Sequence, residues 1–263
     1  APAMAHDRAD AQGDRAAMTH VYLMWEPEGR TALERYPSIL VAFPDLHKFD
    51  GHTDRRMMLD SGAFAAWNSG RVVDLLELAS AIGRLGWAES VALDVIGDWQ
   101  ASKANAIKMR ALGSPAMPVF HVGDPWDLLD FYCKHWPKVG LGGMVGSGGR
   151  GRAIGLTQWL DRVFARAWPH RFHAFGQTGA DILFRYPFHS ADSSSWAVPV
   201  LRNRDYVHVR GAKVGKAYGT TRSCAAKVLC YNVERYAELG TRLAAHWQAE
   251  LRQARAQAPY EGD

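Results

Sequence analysis

The chain has 263 residues, 48% of them hydrophobic, with ten Trp and ten Phe, which is enough for one sizeable core at the length of about 250 residues where α/β barrels form a single domain. A charged fraction of 22% excludes a disordered body, and no apolar run approaches the roughly 18 residues of a membrane-spanning helix. The formal net charge of +4 is modest, so any strong electrostatic role must come from local clustering rather than from the whole surface.

The chain opens on a polar stretch without an apolar core, so residues 1–18 read as a disordered leader or cloning remnant and not as a signal peptide. From residue 19 to 263 a single α/β domain is expected. Short, often β-branched runs bounded by Gly, Pro or Asp read as strands: Val21–Trp25, Ser38–Phe43, Met57–Leu59, Val91–Ile96, Met117–Val122, Val139–Met144, Phe172–Phe175, His189–Ala191 and Tyr206–Val209. Between several of them lie helical patterns at Val72–Leu85, Ser102–Leu112, Pro125–His135, Thr157–Trp168 and Gly179–Tyr186. In the first, Leu75, Leu78, Ala79, Ile82 and Leu85 share one face. A long helix over Val228–Ala256 closes the chain. Strand, helix and strand joined by short connections imply a parallel sheet, and the count implies a (β/α)8 TIM-type barrel with one early strand left over as a hairpin or cap. Cys133, Cys224 and Cys230 are too few and too scattered for a disulfide framework, so a reducing, cytoplasmic setting is expected.

Polar residues fall where such strands end. Asp60 follows Met57–Leu59, Asp94 follows Val91–Leu93, His121 ends Met117–Phe120 and Asp192 follows Ser190–Ala191. The carboxyl ends of barrel strands form the face that carries active sites. The alternative for each Asp alone is a cap on the following helix or turn. Asp60-Ser61-Gly62-Ala63-Phe64 offers a carboxylate, a hydroxyl and bare backbone to a planar ligand, or else a turn with an aromatic plug. Asp94 is placed to accept two hydrogen bonds from a guanine-like edge, or to cap a helix. Leu141-Gly142-Gly143-Met144 places bare backbone at a strand end, where a flat ring can lie. Gly146 to Gly151 matches G-x-G-x-x-G formally, but it comes late and no second acidic strand end follows at the required distance. Flanked by Arg150 and Arg152, it reads better as a loop touching phosphate. Asp192 stands among small hydroxyls that suit a carboxylate nucleophile. Downstream, Arg202, Arg204, Arg210, Lys213 and Lys216 form a basic stretch suited to phosphates, or an ordinary solvated loop.

Taken in order, these segments resemble the queuine/archaeosine tRNA-ribosyltransferase (tRNA-guanine transglycosylase) family, closest to its short phage-type relatives that insert 7-deazaguanines into DNA. The resemblance runs from about Met57 to Trp196. Asp60-Ser61-Gly62 is similar to the family's Asp-Ser-Gly-Gly motif and implies that Asp60 is the acid/base. Asp94 stands where the family reads the base, Gly142-Gly143-Met144 where it has a Gly-Gly-Leu wall, and Asp192 where it has the nucleophile. His121 replaces a base-contacting Gln. The family's zinc site is not reproduced, since Cys224, Cys230 and His246 lack its spacing, so no cofactor is expected. An RNA-binding appendage is also absent from the pattern.

The resemblance implies a double displacement: guanine in nucleic acid, DNA more than tRNA, is exchanged for a 7-deazaguanine through a covalent Asp192–sugar bond. Alternatives are an N-glycosidase or a transglycosylase acting on free nucleosides or nucleotides, and a non-catalytic nucleic-acid-binding subunit. Nothing in the pattern calls for a membrane partner. Exposed Trp and Phe leave a homodimer open.

Overall fold

A computed structural model describes residues 20–49, 56–84, 86–144, 150–202 and 222–257, without the side chains of 150–154, 199, 202, 222–224, 251, 252 and 254–257. Its strands are β1 (His20–Met24), β2 (Ser38–Ala42), β3 (Arg56–Asp60), β4 (Glu89–Ser90), β5 (Val119–His121), β6 (Lys138–Gly142), β7 (Arg171–Ala174) and β8 (Ser190–Ser193). The helices are α1 (Arg30–Leu33), α2 (Ala63–Ser69), α3 (Leu75–Arg84), α4 (Trp99–Ala111), α5 (Trp126–His135), α6 (Arg150–Ala167), α7 (Ala180–Leu183), α8 (Val198–Arg202) and α9 (Arg222–Gln257).

All strand pairings are parallel, in the order β4-β3-β2-β1-β8-β7-β6-β5. The first strand therefore lies between the second and the last, as in a sheet curled toward a TIM-type barrel. Among the described residues no early strand is left over, because β1 pairs with β8 along four residues and with β2 on its other side. The ninth expected strand, Tyr206–Val209, lies outside the described residues.

The ladder is not continuous around the sheet, which corrects the expectation of a complete barrel. The edges β4 and β5 meet only at the parallel bridge Val91–Met117, with Met117 N–H donating to Ser90 O and Ala92 N–H to Met117 O, both at 2.8 Å. The cause is local. Beyond Ala92 the backbone takes its partners from α4 instead of a neighbouring strand: Val95 N–H donates to Ser102 Oγ at 2.8 Å and Asn105 Nδ2 to Leu93 O at 3.1 Å. The expected strand Val91–Ile96 is thus corrected: β4 is Glu89–Ser90, just before it, and only the bridge at Val91 falls within the run, while Val95 N–H and Leu93 O find partners on α4.

The sheet has two apolar layers, as strand alternation requires. Tyr22, Leu40, Met58, Val91, Met117 and Val119 pack together with Met24 and Phe175 inside the curl. Leu23, Ile39, Val41, Leu59, Phe120, Val139, Leu141, Phe172 and Ala191 belong instead to the larger core beneath the helices. α9 completes that outer layer with Leu229, Val233, Tyr236, Leu243 and Trp247 at helical spacing. Trp247 Nε1 donates to Leu183 O at 3.0 Å and Asn232 Nδ2 to Trp196 O at 2.8 Å, tying the helix to the loops it covers.

In register, Leu40 pairs with Met58 and Ala42 with Asp60. Gly140 pairs with His173, His173 with Ser190 and Tyr22 with Asp192. Asp60, His121, His173, Ser190 and Asp192 therefore share the phase of the inner layer. No helix among the described residues is long and apolar enough to cross a membrane.

Candidate active site

Local capping explains fewer of the acidic residues than their positions allow. The cap of α4 is Asp98, whose Oδ1 accepts the Ala101 N–H at 2.9 Å. Asp94, four residues earlier, turns to other partners: Ser61 Oγ lies 3.3 Å from its Oδ1 and His121 Nε2 3.3 Å from its Oδ2. After β8 the turn is held by Ser193, whose Oγ accepts the Ser195 N–H at 3.0 Å. Asp192 instead reaches across to the exit of β7, where the Gly176 N–H donates to Oδ1 at 2.7 Å. His173 Nε2 also lies 3.3 Å from Oδ1. Among the described residues Oδ2 of Asp192 carries no hydrogen bond, so one oxygen is anchored and the other is left for chemistry.

Asp60 is held at the end of β3 by the turn that follows it. The Gly62 N–H donates to its Oδ2 at 2.9 Å. Gly62 has φ 73°, and a Cβ there would stand 2.3 Å from Pro44 Cδ, so both conformation and space require glycine. Burial pushes the Asp60 carboxyl up to about 7, the charge of Asp94 adds to that push and that of Asp192 further, while the Gly62 N–H bond opposes it. Asp60, at the end of β3, thus feels the charges of both Asp94, in the loop after β4, and Asp192 of β8.

His121 at the end of β5 is buried enough to disfavour its charge, yet its bond to Asp94, the Asp94 charge and that of Asp124 outweigh burial and raise its pKa. Its own N–H donates to Asp124 Oδ2 at 2.8 Å. The flat ring lying against bare Gly142 is this imidazole: a Cβ on Gly142 would stand 2.5 Å from His121 Cδ2. Gly143 is exposed beside it, whereas Met144 is buried in the outer core.

Ser61 is buried, its Oγ also accepting the Ala63 N–H at 3.3 Å. Phe64 is not a plug. It is 66% exposed on α2 and stacks on Trp67, itself 60% exposed, with centroids 6.3 Å apart.

The structure thus brings together Asp60, Ser61, Asp94, His121, Gly142 and Asp192, with Phe64 on the adjacent surface. The side chains of Arg150, Arg152 and Arg202 lie outside the described residues, as do Arg204, Arg210, Lys213 and Lys216 altogether. Gly146 to Gly149 are likewise outside, but Arg150 already begins α6. Cys133 and Cys230 are free thiols, the former pushed up to about 12 by burial, and His246 Nε2 lies 3.2 Å from Phe184 O. The side chain of Cys224 is outside the description, and no group of three metal-binding side chains occurs among the described residues.

The stretch His173–Gln177 stood out in the sequence beside Asp192, but sequence reasoning gave no role to His173 or Gly176. It also missed a polar cluster at the amino ends of the strands, where Lys138 contacts Glu89 and donates to Ser190 Oγ at 2.6 Å. Arg56 Nη2 reaches Glu89 at 2.8 Å and Arg56 Nε donates to Tyr22 Oη at 2.7 Å. A cavity of about 600 Å³ opens there, lined by His20, Arg56, Glu89, Lys138 and Arg171 among others. It contains none of the carboxylate site, and its position at the strand starts is that of a stability face in parallel barrels.

No family model matches the chain, and no curated protein matches it. Among solved structures it resembles one described as a structural study of a project target from Aquifex aeolicus VF5, with a TM-score of 0.53 and 9% identity over 93% of this chain and 98% of that one. A second, described as a 4-hydroxy-2-oxoglutarate aldolase/2-deydro-3-deoxyphosphogluconate aldolase from TTHB1, has a TM-score of 0.44 and 11% identity over 83% of this chain and 94% of that one. At such identities the first likeness concerns the fold alone, and the second carries no argument.

Proposed function

We propose that this chain, with its curled eight-stranded parallel sheet, is a pentosyltransferase of the transglycosylase kind, exchanging guanine in nucleic acid, DNA in preference to tRNA, for a 7-deazaguanine. The observation that carries the reading is the division of labour between two carboxylates at one end of the sheet. Asp192 is anchored through Oδ1 while Oδ2 has no hydrogen bond among the described residues, and Asp60 is raised to about 7 by burial and by the charges of Asp94 and Asp192. A group with that acidity both gives and takes protons near neutral pH.

In the first displacement Oδ2 of Asp192 bonds to the anomeric carbon, the bond from that carbon to the purine nitrogen breaks, and protonated Asp60 supplies the proton to the departing base. In the second, ionised Asp60 removes the ring N–H proton of the incoming 7-deazaguanine. That nitrogen bonds to the anomeric carbon, and the Asp192–sugar bond breaks. Two inversions retain the configuration. Asp94 accepts from the donor edge of the base and His121 donates to its 6-carbonyl, replacing the present 3.3 Å contacts with Ser61 and each other. The exposed Phe64–Trp67 pair supports a polymeric substrate, because unstacked bases settle on such faces.

Incubation with radiolabelled guanine and separate DNA, tRNA and nucleoside pools tests the proposal. Label should enter DNA most readily. Label confined to nucleosides, or guanine released without incorporation, would replace it by the nucleoside or hydrolytic reading.

A further inference from the structure

Beneath Asp192 a line of buried polar side chains runs through the inner layer, and the exchange reaction as written does not use it. Lys138 at the start of β6 contacts Glu89 of β4 and donates to Ser190 Oγ at 2.6 Å. Ser190 Oγ stands 2.7 Å from His173 Nδ1, and His173 Nε2 stands 3.3 Å from Asp192 Oδ1. His173 and Ser190 are wholly buried and Lys138 nearly so.

Donor and acceptor chemistry orients every link. Lys138 as an ammonium only donates, and a carboxylate such as that of Asp192 only accepts. Ser190 accepts from Lys138, so its own hydrogen is free for His173 Nδ1 and has no other acceptor among the described residues. A neutral His173 that accepts at Nδ1 must carry its proton on Nε2, which then donates to Asp192. The opposite tautomer would face Asp192 with a lone pair.

We propose that Lys138, Ser190 and His173 are positioning residues, a buried chain polarised in one direction that fixes the Nε2–H tautomer of His173 and so aims the Asp192 carboxylate. The charged groups around the chain agree with this assignment. Burial lowers the pKa of His173 and the Lys138 charge lowers it further, against the pull of Asp192 and Glu89, which favours the neutral ring. Lys138 faces Glu89 of β4, with Arg56 of β3 and Arg171 of β7 near it. Tyr22 of β1 packs edge-on to the His173 ring at 6.2 Å and offers its hydroxyl to Glu89 instead. Gly176 holds the same Asp192 oxygen independently, so loss of the chain loosens the nucleophile without removing its anchor.

The tautomer part stands on geometry alone, while the catalytic part rests on the proposed transglycosylation. Two readouts keep them separate. In ¹⁵N-histidine NMR of the whole protein without substrate, His173 should be neutral and Nε2-protonated between about pH 6 and 7, below the value of about 8 to which burial lowers Lys138. Ser190→Ala should admit the Nδ1–H form. Lys138→Met alone would leave the buried Glu89 with Arg56 and Tyr22 but an unpartnered Oε2, so Lys138→Met/Glu89→Gln serves as the folded control and should admit it too. In the same variants the rate of covalent Asp192–sugar formation should fall about 10- to 100-fold, the scale of one hydrogen bond to a charged group, with KM for the base unchanged. An Nδ1–H ring in the wild type, or a tautomer indifferent to both variants, overturns the chain. The expected tautomers with no exchange in any pool would leave the chain standing and remove the transglycosylase reading.

Discussion

His121 stands 3.3 Å from Asp94, and the backbone of Gly142 leaves the room in which its imidazole lies. The pair joins the loop after β4 to the end of β5, at the seam where the sheet itself is tied by one bridge. Because Asp94 raises the pKa of His121 in the fold, the pair contributes stability that is complete below pH 6.5 and is lost as pH rises through the folded value. Thermal unfolding of wild type and His121→Gln between pH 5.5 and 9 should show a gap on the order of 1 kcal/mol at the acid end that closes toward the alkaline end. A gap that widens with pH would show that His121 is held neutral.

Gly142→Ala acts on the same pair from behind. The added methyl meets the imidazole at 2.5 Å, so the ring must move off Asp94. A loss of about 1–3 kcal/mol in stability is expected from overpacking, with base binding weakened about tenfold or more. Full base affinity in this variant, measured by calorimetry, would separate His121 from base recognition.

Asp60 is strained electrostatically for its task. Its carboxyl, raised to about 7, favours the protonated form in the fold relative to the unfolded chain. Ionisation therefore destabilises the fold progressively from about pH 4 to 7 and by a constant amount above that. Asp60→Asn should accordingly match wild type near pH 4 and exceed it at pH 8 by on the order of 2–4 kcal/mol in urea unfolding, while base exchange is lost. A variant less stable than wild type at pH 8 would contradict the raised acidity. In the wild type, release of guanine should fall about tenfold per pH unit above 8 as the acid form disappears.

Phe64 and Trp67 are exposed and support little of the core. Phe64→Ala and Trp67→Ala should change stability by no more than about 0.5 kcal/mol. Polymer binding should weaken by about 1–3 kcal/mol for each stacked base lost, with turnover of free nucleosides unchanged. Equal loss on nucleosides and polymer would place the pair inside the base pocket instead.

The strand pattern was legible because an apolar run overlaps every strand but β4, from Val21–Trp25 to His189–Ala191, and β4 lies just ahead of its run. The seam was not: Val91–Ile96 has the composition of a strand, and only the side chains of Ser102 and Asn105 reveal that its second half binds a helix. Asp94 and Asp98 are equal candidates for a cap in sequence, and the choice depends on where α4 begins. Phe64 gave an aromatic with no sign of its exposure. His173 was hidden in an otherwise apolar strand, although its two-residue spacing from Phe175, and that of Ser190 from Asp192, already place all four on one face. Lys138, Glu89 and Arg56 precede or begin apolar runs and so look like solvated strand starts, whereas curling of the sheet packs them together.

The most direct measurement is mass spectrometry of the protein incubated with guanine-containing DNA, tRNA or nucleoside and quenched in acid. A pentosyl adduct, alone or with attached nucleic acid, should map to Asp192, disappear in Asp192→Asn and decay when a 7-deazaguanine is added. An adduct on another residue, or base exchange that persists unchanged in Asp192→Asn, would contradict the role given to its unbonded oxygen.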